Sequence, residues 1–205
     1  DKRYFVRRQV WQGGEWLAAS RAVLAGDTLT VEFGEAVVTA VYRVIRQPGY
    51  LAFQLRELRG EPIDRIDLLQ LVIRRPAYLG EWINVAYDDD FGICLCGGNV
   101  QTDAAMHIEE RQVTLRATAE RRVGLAGTTA VLIGCQDPRR RFLDAMETVE
   151  NDFNMPVGAR NRRSPAQRLS YLWASRPTPE NIDGYIAVAK RGGFRTILFS
   201  YKAFS

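Results

Sequence analysis

Hydrophobic and polar residues alternate along most of the first 136 positions with the period of a β-strand, and the runs are short. Tyr4–Trp11 is rich in β-branched and aromatic residues. The tetrad Gln12-Gly13-Gly14-Glu15 reads as a hairpin turn, with Trp16–Ala22 as its return. Leu29–Phe33 places Leu, Val and Phe on one face and Thr and Glu on the other, which predicts a half-buried strand. Ala36–Ile45 and Tyr50–Leu58 alternate on either side of the Pro48-Gly49 turn. Asp64–Arg75 predicts a bent strand around the apolar stretch Leu68–Ile73. Trp82–Tyr87 and Phe91–Cys96 form a hairpin across Asp88-Asp89-Asp90, and Gln112–Thr118 and Ala130–Ile133 complete the set. Other turns fall at Gly26-Asp27 and Gly34-Glu35. Turn signals recur roughly every 8–12 residues, the rhythm of a large antiparallel β-sandwich. Residues 1–136 are assigned to it.

The period changes at Asp137. Asp137 as N-cap and Pro138 at the first helical position open a helix whose stripe is Phe142, Ala145, Met146, Val149 and Phe153. Arg139–Arg141, Glu147 and Glu150 are expected to face water. Met155–Leu169 is poor in apolar residues and rich in Arg, Asn, Gly and Pro, so residues 137–169 read as a helix and a basic connector. Residues 170–205 then read as one βαβ unit. Ser170–Ser175 is its first strand, and Thr178-Pro179-Glu180 starts the helix. Ile182, Tyr185, Ile186 and Ala189 are the apolar stripe, with Lys190 and Arg191 in the last turn. Gly192-Gly193 is the stop, and Phe194–Ser200 is the second strand. Such a unit implies parallel strands with a right-handed crossover. One unit cannot bury both faces of its strands, so the chain is expected to be a fragment, with a larger α/β domain following Ser205.

Composition narrows the class. The apolar and aromatic content is that of a globular protein, and no apolar run reaches the roughly 18–20 residues that span a bilayer, so no membrane partner is expected. The opening DKRYFVRRQV shows no leader; a trimmed chain would look the same, and a periplasmic or secreted setting is only slightly favoured. The net charge of +4 comes mostly from arginines near Arg139 and at Arg160, Arg162, Arg163 and Arg168. Aromatics do not interleave with that run, so it reads as tying the connector to its neighbours rather than binding nucleic acid. Cys94 and Cys96 lie two apart, on one face of a strand. All three cysteines read as reduced, buried apolar residues, with a disulfide from Cys135 to one of the others as the alternative. Two cysteines and the single His107 make no metal motif, and no cofactor is expected.

Three stretches carry a family resemblance. ERRVGLAGTTAVLIGCQDPRRRFLDAMETVENDFNMP resembles the close of an N-terminal β-supersandwich in large bacterial glycoside hydrolases. SPAQRLSYLWASRPTPENIDGYIAVAKRGGFRTILFSYKAF resembles the start of the (β/α)8 barrel that follows it. The hairpin EWINVAYDDDFGICLCGGNV is similar to their galactose-mutarotase-like sandwich. The α-galactosidase clan shares this sandwich-then-barrel layout, with its catalytic carboxylates on later barrel strands, so the resemblance assigns no catalytic residue here. It implies a carbohydrate ligand and the remainder of a catalytic barrel as partners.

Barrel enzymes bind ligands at the C-terminal ends of their strands. That places Ser175 and Arg176 after the first strand, and Ser200, Tyr201 and Lys202 after the second, as candidate sugar contacts. Ordinary loop chemistry is the competing account. Trp173 either stacks on a sugar ring or packs in the core. If the sandwich were a carbohydrate-binding module by itself, or a purely structural scaffold, exposed Trp11, Trp16 or Trp82 would tell the two apart. Asp88-Asp89-Asp90 reads as a turn, because three adjacent carboxylates cannot converge on one calcium ion. Adjacent Glu109-Glu110, in a loop, point opposite ways and do not make a glycosidase pair. His107 has no partner at a recognisable spacing, and Gly97-Gly98-Asn99 lacks the strand–helix setting of a phosphate loop.

Overall fold

The computed structural model describes residues 5–156, 158–165 and 170–199. In chain order the strands of its first part are β1 (Phe5–Arg7), β2 (Gln9–Gln12), β3 (Glu15–Ala18), β4 (Arg21–Ala25), β5 (Thr28–Phe33), β6 (Val38–Gln47) and β7 (Tyr50–Gly60). They continue with β8 (Arg65–Arg74), β9 (Tyr78–Gly80), β10 (Val85–Tyr87), β11 (Phe91–Gly97), β12 (Thr102–Ile108), β13 (Gln112–Glu120) and β14 (Thr129–Gln136). Helix α1 (Pro138–Asp152) follows. Contacts divide the chain into two compact units, 1–157 and 158–205.

The first unit is two antiparallel sheets. One runs β12-β13-β8-β2-β3, with β1 also on β8; the other runs β4-β5-β6-β7-β14-β11-β10-β9. Their inward residues share one buried cluster, with Val10, Ile66, Leu68, Val113 and Leu115 from the first sheet and Val31, Phe33, Tyr42, Leu55 and Leu95 from the second. The architecture is therefore sandwich-like, as the alternation predicts. The burial of β5 shows why: every second residue, Leu29, Val31 and Phe33, is buried. The bend expected in Asp64–Arg75 takes the form of a register shift where β13 pairs with β8, between Ala117 and Thr118.

Several sequence expectations need correction. Thr102–Ile108, which the alternation leaves unassigned, is a strand, and His107 sits exposed on it. Its two alanines and Asp103 are poor strand formers, and it forms by pairing along its whole length with β13, alternate residues turned inward. Arg21–Ala25 is also a strand, exposed throughout at the rim of the second sheet. The segment expected as one strand from Trp82 opens with a 3₁₀ turn at Glu81–Ile83, and only Val85–Tyr87 pairs. Asp137 does not cap α1 through its side chain. Its backbone is left-handed (φ 49°), and its carbonyl accepts from the Arg140 and Arg141 amides at 3.1 and 3.0 Å.

Helix α1 lies on the outer face of the second sheet, so that sheet is apolar on both sides over β7, β14 and β11. Phe142 and Val149 are buried against Tyr50, Ala52, Val85, Cys94, Val131 and Ile133. Glu150, expected in water, is buried. It lies eight residues after Phe142, which brings it inside the stripe. The helix is seated on two glycines. A Cβ at Gly92 would lie 2.7 Å from the Pro138 ring, and one at Gly98 would lie 3.0 Å from the Phe153 ring. The Tyr50 hydroxyl donates to Asp152 Oδ2 at 2.7 Å and ties down the far end. Burial, and then that carboxylate, push the Tyr50 phenol up to about 12.

Val37, in the turn before β6, is held at φ 52° and is 67% exposed. A β-branched residue is strained there, whereas asparagine tolerates the left-handed region. Val37→Asn is expected to raise the unfolding free energy by about 1 kcal/mol. A urea midpoint unchanged or lowered would show that the turn is not strained.

The second unit contains α2 (Gly158–Arg163), β15 (Tyr171–Ala174), α3 (Ile182–Gly192) and β16 (Thr196–Phe199). The connector is thus partly helical. β15 and β16 pair in parallel with Tyr171 opposite Thr196 and Ala174 opposite Phe199, the βαβ arrangement read from the pattern. Gly193, in the left-handed conformation (φ 68°), closes α3 as expected. The helix opens later than Thr178, at Ile182, with Asn181 as N-cap residue. The Thr178 carbonyl accepts from the amides of Asn181 and Ile182, and the Thr178 amide donates to Asn181 Oδ1 at 2.7 Å. Asparagine, not threonine, organises this turn.

Candidate functional site

In the second unit, the candidate positions cluster just past the C-terminal end of β15. Ala174 is buried, whereas Trp173 is 57% exposed and Tyr171 is also exposed. Ser175 and Arg176 are both exposed. The Asn181 side chain fixes their loop, donating to the Arg176 carbonyl at 3.0 Å. The loop backbone is therefore held, and the Ser175 and Arg176 side chains are exposed. Trp173 has more than half its surface in water, so it is not a filled core position within this unit. Ser200, Tyr201 and Lys202 lie outside the described residues, as does Arg168. Arg160 and Arg162 are on α2, both exposed.

In the first unit the aromatic candidates separate. Trp11 and Trp16 face each other across the β2–β3 hairpin, with ring centroids 5.3 Å apart and edge to face. The Arg116 guanidinium lies 4.3 Å from the Trp16 ring centre. Arg116 Nε reaches Asp67 Oδ1 at 2.7 Å. Asp67 is fully buried and also accepts from Thr118 Oγ1 at 2.9 Å and from Gln9 Nε2 at 2.9 Å. Burial pushes the Asp67 carboxyl up, and the three donors pull back only part of that shift. This cluster occupies one side of Trp16 and locks β2, β3, β8 and β13 together. Sequence reading missed it because its members are scattered over more than a hundred positions. The one available signal was an acid, Asp67, directly before the run Leu68–Ile73. Trp82, by contrast, is 99% exposed on its 3₁₀ turn.

The remaining candidates resolve into local structure. Asp88 Oδ1 accepts from the Asp90 and Phe91 amides at 3.0 and 2.9 Å, which holds the Asp88 carboxyl below its usual range. Asp89 pairs instead with Arg139 at 2.9 Å. The triad is a turn, not a cation cage. Glu109 accepts from Gln112 Nε2 at 2.7 Å and lies 4.0 Å from His107, within the β12–β13 turn. Gly97 ends β11, and Asn99 donates to the Gly127 carbonyl at 2.8 Å, so that segment is a sheet corner.

All three cysteines are free thiols turned toward α1, with Cys94 fully buried and Cys96 and Cys135 half-buried. The thiol of Cys94 is pushed up by its hydrogen bond with Cys96 and by burial; the same hydrogen bond holds Cys96 down. Burial pushes Cys135 up. Among the described residues, no cluster of three or more His, Cys, Asp or Glu is arranged to hold a metal ion, and no helix is long and apolar enough to cross a membrane.

No protein-family profile matches this chain, and no curated protein matches it either.

Proposed function

We propose that this chain is the non-catalytic N-terminal part of a glycoside hydrolase, a mutarotase-like supersandwich followed by the opening of a (β/α)8 barrel. Its role is to brace that barrel and shape one wall of the sugar-binding mouth. The observation that carries this reading is the succession of two architectures. An all-antiparallel body capped by α1 is followed by a parallel β15–α3–β16 unit. That unit leaves Tyr171, Trp173, Leu198 and Phe199 exposed, the apolar surface that further strand–helix units of a barrel would cover. Ser175 and Arg176, at the carboxyl end of β15, supply hydroxyl and guanidinium groups suited to sugar hydroxyls. The chain itself is expected to leave aryl glycosides intact, while the chain extended through the downstream units hydrolyses them. Turnover by the chain alone overturns the reading.

Trp82 favours a second reading, a carbohydrate-binding module. A fully exposed indole is the group such a module stacks on a sugar ring. Saturable micromolar quenching of tryptophan fluorescence by oligosaccharides, weakened about tenfold or more in Trp82→Ala, would support it. Absence of quenching leaves the bracing role.

A further inference from the structure

Strand β4 ends the second sheet, and each of its residues is exposed. The other sheet ends are blunted against further pairing: β9 has three residues, β3 carries exposed Glu15, and β12 exposes Asp103 and His107. On β4 the charge, Arg21, stands at one end, and the middle is Ala22-Val23-Leu24, with Val23 43% and Leu24 54% exposed. The ladder shows which backbone groups are open. The Val44 amide donates to the Asp27 carbonyl at 2.6 Å. With the registers of β4, β5 and β6, the hydrogen-bonded partners of Thr28, Thr30 and Glu32 are therefore Ala25, Val23 and Arg21. The amides and carbonyls of Ala22 and Leu24 point out of the sheet edge. Their side chains lie on the inner face, opposite buried Val31 and Leu29, and Arg21, Val23 and Ala25 lie on the outer face.

We propose that β4 pairs antiparallel with β4 of a second copy of this chain, about a two-fold axis at Val23. In this register Ala22 and Leu24 exchange backbone hydrogen bonds with Leu24 and Ala22 of the copy, and the two Val23 side chains meet. The neighbouring registers use groups already engaged. Centring on Ala22 needs the Ser20 amide, which donates to the Glu32 carbonyl at 2.8 Å; centring on Leu24 needs the Gly26 carbonyl, which accepts from Arg46 Nη2 at 3.1 Å. The charges also suit a second copy. Arg21 falls opposite Ala25 of the copy and diagonally beside its Asp27, within reach of a long side chain. The Asp27 carboxylate lies on that same outer face, 3.7 Å from Arg43 Nε, and the Arg21 and Asp27 side chains are both largely exposed. Each end of the strand pair thus sets a cation beside an anion, while Leu24 of each copy extends the apolar inner layer across the junction.

The test is sedimentation equilibrium of the full chain over a range of concentrations, which is expected to show monomer and dimer. Val23→Lys sets two ammonium groups across the axis and is expected to weaken the dimer about fivefold or more. Val23→Glu is expected to do the same. An equal mixture of the two variants is expected to associate more tightly than either does with itself, because only a Val23-centred register sets lysine against glutamate. Amide exchange of the unsubstituted chain reads the same edge without a mutation. The Ala22 and Leu24 amides are expected to slow as dimer forms, while the Val23 amide is protected throughout by β5. A chain that stays monomeric up to about 1 mM overturns the proposal. So does association untouched by Val23→Lys, a mixture no tighter than its parts, or dimerisation that leaves the Ala22 and Leu24 amides exchanging as before.

Discussion

Asp67→Ala is expected to lower the unfolding free energy by about 3 kcal/mol, the cost of breaking a buried, hydrogen-bonded charge pair from one side. The carboxylate is fully buried and is the common acceptor for Arg116 Nε, Thr118 Oγ1 and Gln9 Nε2. Its loss leaves three donors facing a void, and it frees Arg116 from its place over Trp16. Asp67→Asn separates charge from shape. All three partners are donors, so whichever way the amide turns, its own NH2 meets at least one of them; a loss of about 1–2 kcal/mol is expected. Urea midpoints at unchanged slope measure both. A change under about 0.5 kcal/mol in the alanine variant would mean that the network merely decorates the sheet.

The pH dependence has a definite sign. Burial is the largest influence on Asp67, and its folded pKa is raised. The folded state therefore holds the proton more tightly than the unfolded chain. The contribution of Asp67 is greatest below its unfolded value, about 3.9, and declines as pH rises through the raised folded value. The stability gap between wild type and Asp67→Asn should accordingly narrow across that window as pH increases. A gap that widens would reverse the assignment.

Phe142→Ala is expected to cost about 3 kcal/mol, in the range of large-to-small aromatic truncations in cores. Phe142 is buried in the layer between α1 and the second sheet, and the cavity has no neighbour free to fill it. Val149 lies two turns along the same stripe, and Phe153 sits against Tyr50 with centroids 5.9 Å apart. The same substitution has a chemical readout. Cys94, Cys96 and Cys135 all turn toward α1. Loosening the helix should speed alkylation of the cysteines at denaturant concentrations well below global unfolding. If stability falls while thiol protection is unchanged, the helix is not what shields them.

The parts legible in the sequence were those governed by neighbours along the chain. The alternation of Leu29, Val31 and Phe33 translates directly into burial, and the turn between Trp11 and Trp16 sets those two rings opposite each other. The stop at Gly193 needs only a residue that accepts a left-handed backbone. What failed depended on distant partners. β12 is an exception: its partner β13 follows after a short turn, with Ile108 opposite Val113, but two alanines and Asp103 mask the strand in the pattern. Glu150 was placed in water because its charge outweighed its position on the helix. The Asp67 cluster joins Gln9, Asp67, Arg116 and Thr118 from three strands, a juxtaposition that no local pattern announces. At Ser175 and Arg176 the pattern marks the end of a strand, but nothing in it announces the hold that Asn181 exerts on the Arg176 carbonyl.

A sheet that is oily on both sides has little to stop a strand from sliding by one position, since either layer would accept the misplaced residues. The paired notches beneath α1 remove that ambiguity. Where Gly92 meets Pro138 and Gly98 meets Phe153, an ordinary side chain shifted into either place would collide with the helix. Two absent side chains, spaced about a helix length apart, therefore index β11 against α1 and select a single alignment from several of similar greasiness.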